Sequence, residues 1–429
     1  MKIIRRNQKN FHSELTPLLE RSAFSSDIDR QVADILADVR QRGDAALCDC
    51  ALKFDHVSLT PEQFMVTAAE CAAAGKSITA DVRQAITAAV QQVADFASQR
   101  RPENWSYSPR PGVTLGEQFS PMSRVGCYIP GGTAPLISTV VHTVTLAATA
   151  GVPEIVVITP PGKDAQVNPA LLYACQVAGA TEIYRLGGVY GIAALAYGSA
   201  SIRRVEKIVG PGNSYVTAAK RQVYGQVALD LVAGPSEIMI IADESANPAY
   251  IAADMLSQAE HGSGREQAVL LSTEPALLPQ VAAELQRQSA CLSRSDCLAK
   301  VLANGVFLLE TASLQEAVEL ANRYAPEHLE LMLQDPEPTA ARITAAGAIF
   351  LGHWTPEPVG DFVAGPSHVL PTGGSGRFFT GLTAEMFFRR SSLVKYDRTA
   401  LERELPYIRC FAASEGLDAH GNSAAIRLT

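Results

Sequence analysis

The sequence predicts an α/β protein built on two mainly parallel sheets. Three observations carry that expectation. From about Ser123, short apolar runs recur at 125–129, 154–159, 182–186, 207–209, 237–242, 268–272, 305–309 and 348–351, with helical stretches between most of them. Many of these runs lack polar–apolar alternation, as expected of strands covered on both faces. Glycine and proline gather beside them, in Tyr128-Ile-Pro-Gly-Gly132, Gly187-Gly-Val-Tyr-Gly191, Gly210-Pro-Gly-Asn213 and Ala233-Gly-Pro-Ser236. Loops at the carboxyl ends of strands hold ligands in open α/β sheets.

Residues 27–98 read as helices. Val32, Ile35, Leu36 and Val39 fall at helical spacing, Gly43 closes that run, and Leu47, Ala51 and Phe54 continue in a second. Ile78, Val82, Ile86, Val90, Val93 and Ala97 repeat the pattern to Ser98. After the last apolar run a helical pair is expected at 383–390 and 399–412, followed by a tail from Ser414 to His420. Leu401, Leu405, Ile408 and Phe411 give the second helix an apolar face that anchors this tail.

A chain of 429 residues is long for one hydrophobic core, so two or more domains are expected. Its 47% hydrophobic and 19% charged residues describe an ordinary globular protein. A net charge of −8 argues against nucleic acid as the main partner, because phosphate binding needs a basic excess. The start, Met1-Lys-Ile-Ile-Arg-Arg-Asn, lacks the apolar core of a signal peptide, and no apolar run approaches the ~18 residues of a membrane span, so no membrane partner is expected and the cytoplasm is the expected location. The eight cysteines include no Cys-x-x-Cys pair and read as structural thiols.

Histidine placement carries the chemistry. Of eight histidines, five lie after position 260, and four of these sit near carboxylates or a glutamine: Gln258-Ala-Glu260-His261, Glu327-His328, Asp361 with His368, and Glu415 with His420. Neutral imidazole and ionised carboxylate are the usual ligands of a catalytic divalent metal and the usual pair for proton transfer. Each has a bland reading. Gln258 and His261 could be a surface helix end whose three-residue spacing puts them on one face, stopped by Gly262. Glu327-His328 could be a polar strand entrance, with Pro326 biasing Ala325 toward an extended conformation. Gly360-Asp361 and Gly365-Pro-Ser-His368 could be plain connection, and Glu415 with His420 a solvated end. No G-x-G-x-x-G is present, so a standard dinucleotide fingerprint is not shown.

The combination of YIPGG at 128–132, GPGN at 210–213, AGPSE at 233–237, QAEHG at 258–262, PEHLE at 326–330, GD at 360–361, SHVLPT at 367–372 and the Glu415–His420 tail resembles the histidinol dehydrogenase family. The match runs from about Arg40 to the end, in family order. The resemblance implies a zinc-dependent, NAD-linked enzyme that oxidises L-histidinol through the aldehyde to L-histidine, with two NAD per turnover and one zinc per subunit. Zinc would be held by Gln258, His261, Asp361 and His420. Substrate contacts would fall on Ser236, Gln258, His261, His328, Asp361, His368, Glu415 and His420, with Glu327 and His328 as proton acceptors. Tyr128, Tyr190 and Asn213 would lie at the cofactor, and Gly131, Gly132, Gly210 and Gly212 would allow close backbone approach. Tyr190 departs from the glutamine usual in the family.

The expected organisation is an N-terminal extension at 1–25, a discontinuous α/β domain at 26–127 plus 235–380 carrying metal and catalytic residues, an inserted Rossmann-like NAD-side domain at 128–234, and a helical tail at 381–429. The resemblance implies a homodimer in which each tail completes the partner's site. Two rivals stand beside this reading. One is a paralogue oxidising another small alcohol, such as a sulfonated diol. The other is a non-catalytic metal- or ligand-binding protein, which would have no use for both Glu327 and His328. Cys127, beside Tyr128, invites a thiohemiacetal route, but the resemblance assigns the water step to Glu327.

Overall fold

The computed structural model describes residues 1–8, 11–19, 26–131, 135–261 and 263–429; Gly132 and Gly262 lie outside them. In chain order the strands are β1 (Lys2–Ile4), β2 (Trp105–Arg110), β3 (Val113–Pro121), β4 (Arg124–Tyr128), β5 (Glu154–Ile158), β6 (Glu182–Tyr184), β7 (Lys207–Val209), β8 (Ala228–Leu229), β9 (Glu237–Ala242), β10 (Gln267–Ser272), β11 (Val306–Glu310), β12 (His328–Met332), β13 (Ala348–Leu351) and β14 (Phe388–Tyr396). Two sheets are parallel, as expected: a five-stranded one ordered β6-β5-β4-β7-β8 and a six-stranded one ordered β1-β11-β10-β9-β12-β13.

Both sheets are sandwiched, which explains the unbroken apolar runs. In β9, Ile238 and Ile240 join one buried cluster while Met239 and Ile241 join another on the opposite face. In β4, Val125 and Cys127 face a core formed with Ile86 and Val93, while Tyr128 faces one formed with Val32, Leu36 and Leu47. On opposite sides of the five-stranded sheet, the helix Ser26–Arg42 packs on the helices Gly188–Tyr197 and Ser214–Val223, and the helix Ala80–Ser98 on Ile137–Ala150 and Pro169–Ala178. Lys2–Ile4, at a terminus that the sequence left uninformative, pairs in parallel with β11 at the edge of the six-stranded sheet.

Three local expectations need correction. The segment 383–390 is no helix: a short turn of 3-10 helix at Ala384–Phe387 runs into β14, which pairs antiparallel with β3 over nine residues of each strand. With β2 these form a third, antiparallel sheet. The stretch after β13 is not simply loop, because Glu357–Phe362 forms a helix with Pro358 in its first turn, where a missing N–H costs nothing. Ala325 is not extended: it caps the helix Leu314–Tyr324 in the left-handed region at φ 52. A buried alanine there is a strained conformation of the kind found at functional sites.

Candidate active site

Glu327 and His328 enter the site at the amino end of β12, not at the carboxyl end of a strand. β12 lies beside β9 in parallel register, His328 opposite Ile238. Both side chains are held by one residue of that neighbour. The N–H of Glu237 donates to Glu327 Oε2 at 2.9 Å, and the carbonyl of Glu237 accepts from His328 Nδ1 at 3.0 Å. With the ring hydrogen on Nδ1, the lone pair of the neutral imidazole sits on Nε2. That atom is buried without a hydrogen-bond partner among the described residues, 3.8 Å from Glu357 Oε1 and 3.7 Å from Asp361 Oδ1.

Glu357 and Asp361 face His328 because they lie four residues apart on the helix Glu357–Phe362. Gly360 lets that helix seat on Phe350, since a Cβ there would lie 2.6 Å from the ring. The helix is also fixed at its start, where Glu330 Oε1 accepts the N–H of Glu357 at 2.8 Å. Ser257, on the helix Pro248–Ala259, donates to Glu357 Oε2 at 2.9 Å. His328, Glu357 and Asp361 each offer a ligand atom, and these atoms lie within 4.8 Å of one another.

Burial and mutual charge set the protonation states. Burial pushes the Glu327 carboxyl up to about 8, although the neighbouring imidazole opposes this. Burial disfavours charge on His328 too, but Glu327, Asp361 and Glu357 outweigh it and raise the imidazole to about 10. Glu357 is likewise pushed up, first by burial and then by Asp361. Asp361 resists burial because His328 and His368 hold its carboxylate well below the ordinary range. A cation bound here would favour ionised carboxylates and a neutral imidazole, the forms that burial and mutual charge otherwise oppose.

Gln258 is fully buried, and among the described residues neither amide atom has a hydrogen-bond partner. His261 behaves differently. The helix ends at Ala259, so His261 lies beyond it and is exposed, with Nδ1 3.2 Å from the carbonyl of Gln258. The two do not share a helix face. His368 is half-buried; Nδ1 meets the backbone carbonyl of Asp361 at 3.1 Å and, among the described residues, Nε2 has no hydrogen-bond partner. Ser236 is half-buried, immediately before β9. Of these, Asp361 lies against both His328 and His368, Gln258 follows Ser257, which holds Glu357, and Ser236 precedes Glu237, which holds Glu327 and His328. Glu415 and His420 do not join them within one chain. They line a small cleft on the tail with Glu404, Tyr407, Ile408, Phe411, Ala412 and Leu417, formed by the helices Arg398–Glu415 and Asp418–Ala425. The apolar face of that tail is largely uncovered, with Tyr407 66% and Phe411 70% exposed.

The second cluster of expected residues lies at the carboxyl ends of the five-stranded sheet. Tyr128 is buried and its hydroxyl accepts the N–H of Gly188 at 3.3 Å. Gly210, at φ +112, is required by close approach, because a Cβ there would overlap the carbonyl of Tyr128. Gly131 and Gly212 are also tightly packed against Pro160 and Val216. Asn213 is exposed and caps the helix Ser214–Val223. Tyr190 is buried and donates its hydroxyl to Asp55. Sequence reasoning missed Glu357, Glu330 and His142. For Glu357 a signal existed, the Glu-Pro-Val-Gly-Asp spacing on a proline-started helix; for the others there was none.

A sequence model of the histidinol dehydrogenase family matches residues 19–428. Among curated relatives, a histidinol dehydrogenase of Desulfotalea psychrophila is 46% identical over 400 residues, 92% of each chain. One of Heliobacterium mobile is 42% identical over 96% of each. A crystal structure of histidinol dehydrogenase from Elizabethkingia anophelis superposes with a TM-score of 0.93 at 34% identity, covering 100% of this chain and 98% of that one. An acetylating aldehyde dehydrogenase from Geobacillus thermoglucosidasius shares the fold at a TM-score of 0.50 and 15% identity, covering 90% of this chain and 94% of that one.

Proposed function

Since the chain belongs to the histidinol dehydrogenase family, we propose that it carries out the NAD-dependent, two-step oxidation of L-histidinol through L-histidinal to L-histidine, the last steps of histidine biosynthesis. The observation that carries the metal half of this reading is Gln258. A buried amide with two unpartnered polar atoms costs about 1–3 kcal/mol per group, and a site filled by a cation and a polar substrate removes that cost. Gln258, His261 and Asp361 would hold zinc, with His420 from the tail of a second copy as the fourth ligand. The uncovered apolar face of the tail supports that exchange. Ser236, His368 and Glu415 would complete the contacts to substrate nitrogen and oxygen.

Bound zinc would orient the amino alcohol, and NAD would accept hydride. The chain's own residues do the rest. His328, its Nδ1 hydrogen committed to Glu237, presents Nε2 to the alcohol proton. Sharing Asp361 with a cation weakens the attraction that otherwise keeps His328 protonated. Glu327, buried and poised near neutrality, takes a proton from the water that adds to the aldehyde. Tyr128 and Asn213 would flank the cofactor, and Tyr190 would back that crevice through Asp55. A cytoplasmic location belongs to the same proposal; no described helix is long and apolar enough to cross a membrane.

The test is to follow absorbance of the reduced cofactor with zinc, NAD and L-histidinol. Turnover of histidinol supports the reading. Turnover only of another alcohol selects a paralogue, and no turnover of any alcohol selects a binding protein.

A further inference from the structure

His142 is a buried histidine with no part in the chemistry described so far. It lies in the helix Ile137–Ala150, which covers the five-stranded sheet, and is 0% exposed. Among the described residues neither ring nitrogen has a partner in hydrogen-bond geometry, although the backbone of Phe362 and Asp361 lies close to the ring. Burial pushes it down to about 3, with His368 adding to the effect, so the ring is neutral. A buried imidazole with such loose polar contacts is set apart from an apolar residue of similar size mainly by its flat face.

The neighbour supplies a reason. The rings of His142 and His368 stack with centroids 4.6 Å apart and planes inclined by 28°. His368 stands at the other edge of the pocket, with Nδ1 directed at the carbonyl of Asp361 and Nε2 buried and unpartnered. The same contact is anchored through the backbone: Ser367 Oγ donates to the carbonyl of His142 at 3.0 Å and accepts the N–H of Val369 at 3.2 Å. A planar ring leaves His368 one tilt, in which Nδ1 keeps its carbonyl and Nε2 keeps its aim; an aliphatic side chain would let it rock.

We propose that His142 is a positioning residue for substrate binding, its flat ring fixing His368 so that Nε2 accepts a hydrogen bond from a nitrogen of the amino alcohol. This rests on the reading of His368 as a substrate contact. It also links the five-stranded-sheet half of the molecule to the pocket carried by the six-stranded half.

His142→Leu and His142→Phe separate the ring from its nitrogens, with thermal melting, calorimetric titration of L-histidinol into the zinc-loaded protein without NAD, and steady-state kinetics as readouts. Both variants should fold and melt within about 3 °C of wild type, because each replaces a neutral buried ring by an apolar side chain. The leucine variant should bind histidinol about tenfold more weakly and show a matching rise in KM for histidinol, with kcat and KM for NAD nearly unchanged. The phenylalanine variant, which keeps a flat face, should bind within about twofold of wild type. Equal binding by wild type and the leucine variant overturns the proposal alone. So does an equal loss in both variants. A wild-type protein that binds no histidinol overturns the reading beneath it, and this proposal with it.

Discussion

His328 Nδ1 and Glu327 Oε2 lie 3.7 Å apart, and opposite backbone groups of one residue, Glu237, hold them there. Consecutive residues within a strand point to opposite faces. These two can converge because Glu327 precedes β12 and follows the left-handed turn at Ala325.

That pairing predicts a pH dependence. Glu327 must be ionised to act as a base, and burial raises it to about 8, so aldehyde oxidation should climb as pH rises toward and through 8. Glu327→Gln should lower that step about 10²–10⁴-fold and abolish the climb, while retaining metal. The stability effect has the opposite slope. A carboxyl raised from 4.5 to about 8 contributes fully below 4.5 and loses its contribution as pH rises through 8, so the glutamine variant should lose less stability than wild type over that window. Stopped-flow oxidation of histidinal and urea melts across pH check both. Histidine formation unchanged in the variant would remove Glu327 from the water step.

Metal content distinguishes two ligand sets. Gln258, His261, Asp361 and His420 form the proposed set, whereas geometry within one chain groups His328, Glu357 and Asp361. His261→Asn should lose zinc and activity together, by at least about tenfold in zinc affinity, and Glu357→Gln should keep zinc with reduced turnover. Elemental analysis after dialysis measures this. Zinc kept by the His261 variant and lost by the Glu357 variant would move the cation to the second group.

The tail can be tested by complementation. Asp361→Asn and His420→Asn should each be inactive alone. If each site draws on both copies, mixing and exchanging subunits should restore about a quarter of wild-type activity, since half of randomly formed pairs carry one intact site of two. No recovery despite demonstrated exchange argues that the tail serves its own chain.

Cys127 sits in β4, fully buried, where burial pushes its thiol up to about 12. A thiol so far from ionisation is no nucleophile at neutral pH. Cys127→Ser should therefore keep aldehyde oxidation within about threefold, allowing for packing changes. A loss of about a thousandfold in a folded variant would restore the covalent route.

Tyr190 spends its hydroxyl on Asp55. Removing it in Tyr190→Phe leaves a partly buried carboxyl without its donor, so stability should fall by about 1–2 kcal/mol. NAD affinity should change by less than about threefold. A larger change in a fluorescence titration of NAD would assign the hydroxyl a direct cofactor contact.

Eight apolar runs in the sequence correspond to eight strands of the two parallel sheets, with ends shifted by two residues at most. Strand formation under double burial is written locally, in uninterrupted Val, Ile and Leu, and so was readable. Motif order was enough to identify the family. What needed the folded chain were relations between distant segments. β14 pairs with β3 across some 270 residues of chain, so the segment 383–390, which runs into it, read as a helix. The helices Ser26–Arg42 and Ala80–Ser98 add outer layers on opposite sides of the five-stranded sheet because apolar faces of matching shape meet there, which no spacing encodes. The burial of Gln258 beside an exposed His261, the Glu330 hold on Glu357, and the stacking of His142 on His368 are products of packing. Sequence determines which side chains are available and which segments are strand or helix. Only tertiary structure decides which of them share a dry pocket, because burial and proximity, not chain position, set their charge and reach.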